Sequence, residues 1–229
     1  MLKAQLHSHI KNDLEDYHIK YSVYDLIDKA YEKKFEVLAI TCHNKFFYDN
    51  KAKRYASNKG IILLFGIEKN IECKHTLIIN CNKNVEKVHN FKDLEKYKKE
   101  NPYCLVIAPH PFFKDNSCLK NKIVEFESVF DAFEYSFFYT KKINMNNEMI
   151  KISNKLNKPV IGTSDVHYLK DIDLTYTLID SKKDTNSIIS AIKKGKVTLV
   201  SRPLKFSNLM FRIGRMIINP ILHFKSRKP

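Results

Sequence analysis

Six of the nine histidines in this chain lie at or near the ends of short apolar runs, beside acids at similar places. His7 and His9 close the run Lys3–His9, and His43 follows Glu36–Cys42. Glu68 follows Ile61–Gly66, His75 opens His75–Asn80, and His110 follows Cys104–Pro109. Asp165 and His167 come just after Pro159–Thr163. Imidazole nitrogen and carboxylate oxygen together suit Zn, Mn or Fe as divalent ions. In His7-Ser-His9 both side chains would point the same way on a strand, because the strand repeat is two. Asp165-Val-His167 repeats that spacing. Any one of these histidines, taken singly, reads equally as a satisfied core or surface residue. Two paired motifs with several further histidines and a glutamate at run ends make a shared metal site the stronger reading.

Such residues meet only if the chain brings its run ends to one place. The apolar runs above, with Ala132–Phe137 and an eighth candidate at Val197–Val200, read as strands. Between them lie helical stretches at Val23–Lys33, Asp49–Lys59, Asp93–Glu100, Lys120–Phe126, Lys141–Leu156 and Thr185–Lys194. In the first, Val23, Leu26, Ile27, Ala30 and Tyr31 share one face at a 3.6-residue period. Alternation of this kind predicts an α/β fold on a mainly parallel sheet, open or closed into a barrel. In a parallel barrel the carboxyl ends of the strands share one mouth.

The bulk properties set the frame. At 229 residues the chain is long enough for one sizeable core. Its net charge of +15 suggests an anionic partner: a phosphate compound, nucleic acid or an acidic membrane surface. Five cysteines with no CxxC spacing read as reduced thiols, and with no signal peptide at the start of the sequence this predicts a cytoplasmic protein.

The ordered set Leu6-His-Ser-His9, Thr41-Cys-His-Asn44, Gly66-Ile-Glu68, Ala108-Pro-His-Pro111 and Ser164-Asp-Val-His167 resembles the PHP (polymerase and histidinol phosphatase) domain. The resemblance runs from residue 1 to about residue 200. It implies a distorted seven-stranded (β/α)7 barrel of PHP type over residues 1–203. It implies two or three divalent ions held by His7, His9, His18, His43, Glu68, His75, His110, Asp165 and His167, with Glu68 shared. Asp13 or Asp16 could stand in for His18. Where the family motif carries an aspartate this chain has Cys42, either a ligand for a thiophilic metal or an inert buried thiol. The implied activity is phosphate-ester hydrolysis by a metal-activated water. Asp165 belongs to that machinery, and His18 or His167 would supply the leaving-group proton. Lys45 and Arg202 are candidate substrate-binding cations at the rim.

A small-molecule or nucleotide phosphate is the preferred substrate class. A nucleic-acid-processing protein is the alternative, suggested by the charge and by Phe46, Phe47, Tyr48, Phe112 and Phe113. A non-catalytic metal-binding module is the third reading, with Cys42 as its support. Beyond the domain, residues 204–229 form a separate tail. Residues 201–229 hold seven Lys or Arg and no acid. Over 204–224 the apolar and polar residues segregate as in a basic amphipathic helix, interrupted at Gly214 and Pro220. That pattern predicts packing on the barrel, an oligomer contact, or peripheral docking to an anionic membrane.

Overall fold

The computed structural model describes residues 1–11 and 13–214. Among the described residues, nine strands build the fold: β1 (Leu2–Gln5), β2 (Val37–Ile40), β3 (Ile62–Ile71), β4 (Lys74–Ile79), β5 (Leu105–Ala108), β6 (Ala132–Ser136), β7 (Val160–Thr163), β8 (Thr175–Ile179) and β9 (Val197–Ser201). They form one sheet in the order β7-β6-β5-β4-β3-β2-β1-β8-β9. The helices are α1 (Val23–Glu32), α2 (Asn50–Asn58), α3 (Phe91–Glu100), α4 (Lys122–Glu125), α5 (Asn146–Leu156) and α6 (Thr185–Lys193). A further helix covers residues 206–214.

The sheet curls into a nearly closed barrel. At the seam the Gly162 amide of β7 donates to Thr177 Oγ1 of β8 at 2.9 Å, and that hydroxyl donates back to the Gly162 carbonyl at 2.9 Å. No side chain fits here: a Cβ on Gly162 would sit 2.8 Å from the Tyr176 carbonyl oxygen. Glycine is therefore used for close backbone approach.

Three expectations are corrected. The strands number nine, not seven. The sheet is mixed, since β3–β4, β4–β5, β1–β8 and β8–β9 pair antiparallel. Only β1–β2, β2–β3, β5–β6 and β6–β7 are parallel. Finally, Glu68 does not follow its strand: β3 runs on to Ile71, and Glu68 pairs with Leu77 of β4. Reversal of β4 alone leaves β1, β2, β3, β5, β6 and β7 pointing one way. Their carboxyl ends and the start of β4, with His75, therefore share one end of the barrel.

Helix α1 forms where its apolar face was read. Ser22 caps it in a reciprocal box with Asp25, and Val23, Leu26, Ile27 and Ala30 are buried. They pack with Leu38, Ile40, Leu63 and Phe65 under α1 and α2. A second cluster fills the interior: Leu2, Ala4, Val37, Ala39, Leu64, Leu77, Ile107, Ala132 and Ile161, floored by Ile188, Ile189 and Ile192 of α6. A third, with Phe91, Phe130 and Phe133, lies under α3 and α4. Strand periodicity carries the interior face onward from apolar to polar: Glu68 lies four residues past Leu64 in β3, and Glu134 two past Ala132 in β6. The apolar floor thus gives way to an acid-lined mouth.

Candidate metal centre

The motifs are stitched together by backbone hydrogen bonds at the mouth. Val166 donates to the His7 carbonyl at 3.0 Å and accepts from the His9 amide at 3.1 Å, which zips the last motif to the first. Thr41 donates to the Ser8 carbonyl, joining the first motif to the second. Asn44 donates to the Glu68 carbonyl and Glu68 donates to that of Cys42, joining the second to the third. A local turn sets the fourth wall: Asp13 Oδ1 accepts from the amides of Glu15 (3.0 Å) and Asp16 (3.3 Å). This is the geometry by which aspartate orders its own loop.

Glu68, 1% exposed, is the hub. Its Oε2 lies 3.0 Å from His7 Nε2, 3.0 Å from His43 Nε2 and 3.4 Å from His9 Nε2. Its Oε1 lies 3.0 Å from His75 Nδ1 and 3.2 Å from His110 Nε2. One carboxylate therefore faces two separate groups of imidazoles. Asp165 Oδ1 adds contacts of 3.3 Å to His7, 3.1 Å to His9 and 3.4 Å to His167. Two of these residues hold unusual backbone: His110 at φ 28° and Asp165 at φ 42° are non-glycine residues with positive φ. Such conformations cluster where a site over-determines the chain.

Behind the hub stands a layer of acids. His7 Nδ1 faces Glu134 Oε2 at 2.9 Å, His9 Nδ1 faces Asp13 Oδ2 at 2.9 Å, and His43 Nδ1 faces Asp13 Oδ1 at 3.0 Å. His110 Nδ1 has the buried Cys118 thiol at 3.5 Å instead. Asp16 Oδ2 meets His167 Nε2 at 2.8 Å and His43 Nδ1 at 3.2 Å.

The protonation equilibria follow from this crowding. Burial opposes a charged Glu68, but His7, His43, His75 and His110 outweigh it and hold its carboxyl well below the usual range. Burial likewise opposes a charged His7, and Asp165, Glu68 and Glu134 push it well above an ordinary imidazole. Asp165 and Asp16 raise His167 against its burial to about 9. Burial first, then the Asp13 charge, pushes the Cys42 thiol up to about 12. It packs among Leu38, Ile40 and Ala52, the environment of an inert thiol.

These residues fit a divalent ion, and the fit has a specific test. His7, His9 and His43 each present Nδ1 to a carboxylate and Nε2 to the centre. A ring that donates its Nδ1 proton to an acid leaves an unprotonated Nε2 facing Glu68 or Asp165, lone pair to lone pair. A cation between them removes that conflict, and an acid behind each ligating imidazole is the usual support. Otherwise all three rings must carry a second proton, with the His9 and His43 centroids stacked 4.4 Å apart. Four groups can offer ligand atoms to one ion: His7-His9-Glu68-Asp165, His9-Asp13-Asp16-His43, Glu15-His43-His75 and Glu68-His75-His110.

Seven of the nine expected ligands fall in those groups. His167 and His18 do not. His167 lies at their edge, its ring centroid 4.5 Å from that of His9. His18 stacks on His167 at 6.0 Å and sits 3.8 Å from Asp16 Oδ1. Asp13 and Asp16 occupy the inner positions instead. Lys45 is exposed in the loop just after Asn44. Arg202 is exposed and turned to Asp173: its guanidinium donates to the Asp173 carbonyl at 2.9 Å, and Asp173 also meets Lys33 at the end of α1. Glu134 and Cys118 were missed. The signal for Glu134 was an acid in the middle of an otherwise apolar strand run, Ala132-Phe-Glu-Tyr-Ser136. Cys118 carried none.

The site is therefore an α/β barrel mouth lined by histidines and acids around a shared glutamate. Residues 144–197 match the PHP-associated family model, PHP_C. The solved structures similar in fold include a two-domain protein from Bacteroides vulgatus containing a predicted PHP-like metal-dependent phosphoesterase. It aligns at TM-score 0.67 and 18% identity over 88% of this chain. The chain spans 65% of that protein's length. An amidohydrolase from Chromobacterium violaceum with bound sulfate aligns at TM-score 0.60 and 12% identity, over 85% of this chain and 97% of that one. PsfC from Pseudomonas syringae aligns at TM-score 0.62 and 12% identity, over 96% and 98%. No curated protein matches the sequence. The family match is confined to residues 144–197, and the likeness to the solved structures is one of fold.

Proposed function

We propose that the protein is a metal-dependent phosphoesterase with two or three divalent ions. His7, His9, Glu68 and Asp165 would hold one and Glu68, His75 and His110 a second; the group His9-Asp13-Asp16-His43 would hold a third if Asp13 bound the ion in place of the Nδ1 protons of His9 and His43. The observation that carries the reading is the set of carboxylates on the Nδ1 atoms of His7, His9 and His43, which turns three Nε2 lone pairs on a common centre. When bound, the ions would neutralise phosphate oxygens and activate a water for in-line displacement. The chain's own groups do the rest. Glu68 and Asp165 balance the cationic charge. Glu134 and Asp13 hold the imidazoles in one tautomer and orientation. His167, about a quarter exposed at the edge of the cluster, gives the leaving oxygen its proton from Nε2. Lys45 is kept as a rim cation for the phosphate; Arg202 is not, because Asp173 holds it. Cys42 is assigned as an inert packed thiol. A small-molecule or nucleotide phosphate is the preferred substrate class.

The test is metal analysis of the purified protein, followed by phosphomonoester, phosphodiester and carboxamide substrates with Mn²⁺, Zn²⁺ and Fe²⁺. Phosphoester turnover that His9→Ala and Asp165→Ala abolish, with the fold intact, is the expected result. Full turnover in either variant, or turnover of the amides alone, overturns the assignment.

A further inference from the structure

The helix over residues 206–214 is fastened to the barrel by one face only. Leu204 and Leu209 are buried with Phe137, and Phe138, Leu174 and Ile213 pack on them. The Leu204 amide donates to the Tyr139 carbonyl at 2.8 Å. Arg212 grips Asp171 with two hydrogen bonds of 2.7 Å, and its guanidinium lies 5.3 Å from the centre of the Phe137 ring. Asp171 is 4% exposed and ends the turn Leu169–Asp171, four residues past His167. Phe137 and Phe138 directly follow β6, the strand of Glu134. The helix is therefore clamped beside the mouth.

Its other side carries exposed apolar side chains. Three of the ten exposed large apolar side chains among the described residues, Phe206, Met210 and Phe211, fall within six residues here. Phe206 (60% exposed) and Met210 (50%) are one turn apart and share a face. The surrounding composition names the occupant. Residues 201–229 carry seven Lys or Arg and no Asp or Glu, and Lys205 is exposed beside Phe206. Arg202 and Arg212 are paired with Asp173 and Asp171, yet the segment keeps an excess of positive charge; exposed apolar side chains and excess positive charge on one segment are the two signals that peripheral binding to anionic lipid requires. A second copy of this chain, itself at +15, would meet that charge with its own. The sequence from Arg215 onward lies outside the described residues.

We propose that the segment from Leu204 docks the protein to an anionic bilayer surface, with Phe206 and Met210 entering the headgroup layer beside the mouth. The inference does not depend on the metal reading.

The experiment is vesicle co-sedimentation of the full chain with phosphatidylcholine alone and mixed with phosphatidylglycerol, with and without a chelator. Expected is binding to the anionic vesicles only, reversed by high salt and unchanged by the chelator. The surface variants Phe206→Ser/Met210→Ser and Lys205→Glu should weaken it, the double variant by about tenfold or more. They should melt as the wild type does. No binding to anionic vesicles overturns the proposal. So does binding that the double variant leaves unchanged, or a dimer seen by light scattering that the double variant dissociates without any vesicle binding.

Discussion

Glu134→Gln tests the reasoning that acids behind the histidines prepare them for metal. His7 and Glu134 are both fully buried, and one bond of 2.9 Å joins His7 Nδ1 to Glu134 Oε2. Glutamine keeps the shape, and its carbonyl can still accept the Nδ1 proton. What is lost is the charge on the acceptor. A bond to a charged acceptor contributes about 1.5–3 kcal/mol and a neutral one about 1 kcal/mol, so the difference is roughly 0.5–2 kcal/mol. That corresponds to roughly two- to thirtyfold in metal affinity at 1.4 kcal/mol per tenfold. Glu134→Ala removes the acceptor altogether and should reach about 100-fold, the upper end for residues that orient a ligating imidazole. The assay is competition between stripped protein and a chromophoric chelator for Zn²⁺ or Mn²⁺, with circular dichroism to confirm the fold. Wild-type affinity in both folded variants would refute the claim that Glu134 sets the His7 tautomer.

The chelated protein should respond to pH differently from the metal-loaded one. His167 is raised to about 9, and His7 is raised in the same direction. The stabilisation from His167 is complete below the unfolded value of about 6.5 and is lost as pH rises through about 9, and that from His7 acts in the same direction. Glu68 is depressed, so its share is present above about 4.3 and is lost only as pH falls below that value. Denaturant midpoints of stripped protein should therefore fall between about pH 6.5 and 9, while metal-loaded protein, whose ligands must be deprotonated, holds or gains. Parallel curves would count against the cluster. Gly162→Ala should destabilise the fold by about 1–3 kcal/mol in urea, because the added methyl meets the Tyr176 backbone at the barrel seam. An unchanged midpoint would mean the seam is looser than described.

The chemistry of the mouth was legible because ligand residues cannot be disguised: histidines and acids at the ends of apolar runs stand out whatever the register. Run ends also converge in any barrel of like-directed strands, so His7, His9, His43, Glu68, His110 and Asp165 could be grouped from the chain alone. Helix α1 and its cap were readable for a different reason, since Ser22, Asp25 and the apolar stripe act within four residues of one another. Strand β8 was not readable. Thr175–Ile179 alternates only weakly and became a strand through partners far away, β1 on one side and β9 on the other. The continuation of β3 past Gly66 likewise depends on β4 folding back along it. Asp13, held open with Asp16 as an alternative to His18, is aimed at two imidazoles by a turn that the sequence did not reveal. Sequence alone determined which residue types surround the site and in what order they come. Tertiary structure decided which nitrogen of each histidine faces inward, because that depends on an acid such as Glu134, 127 residues from the His7 it orients.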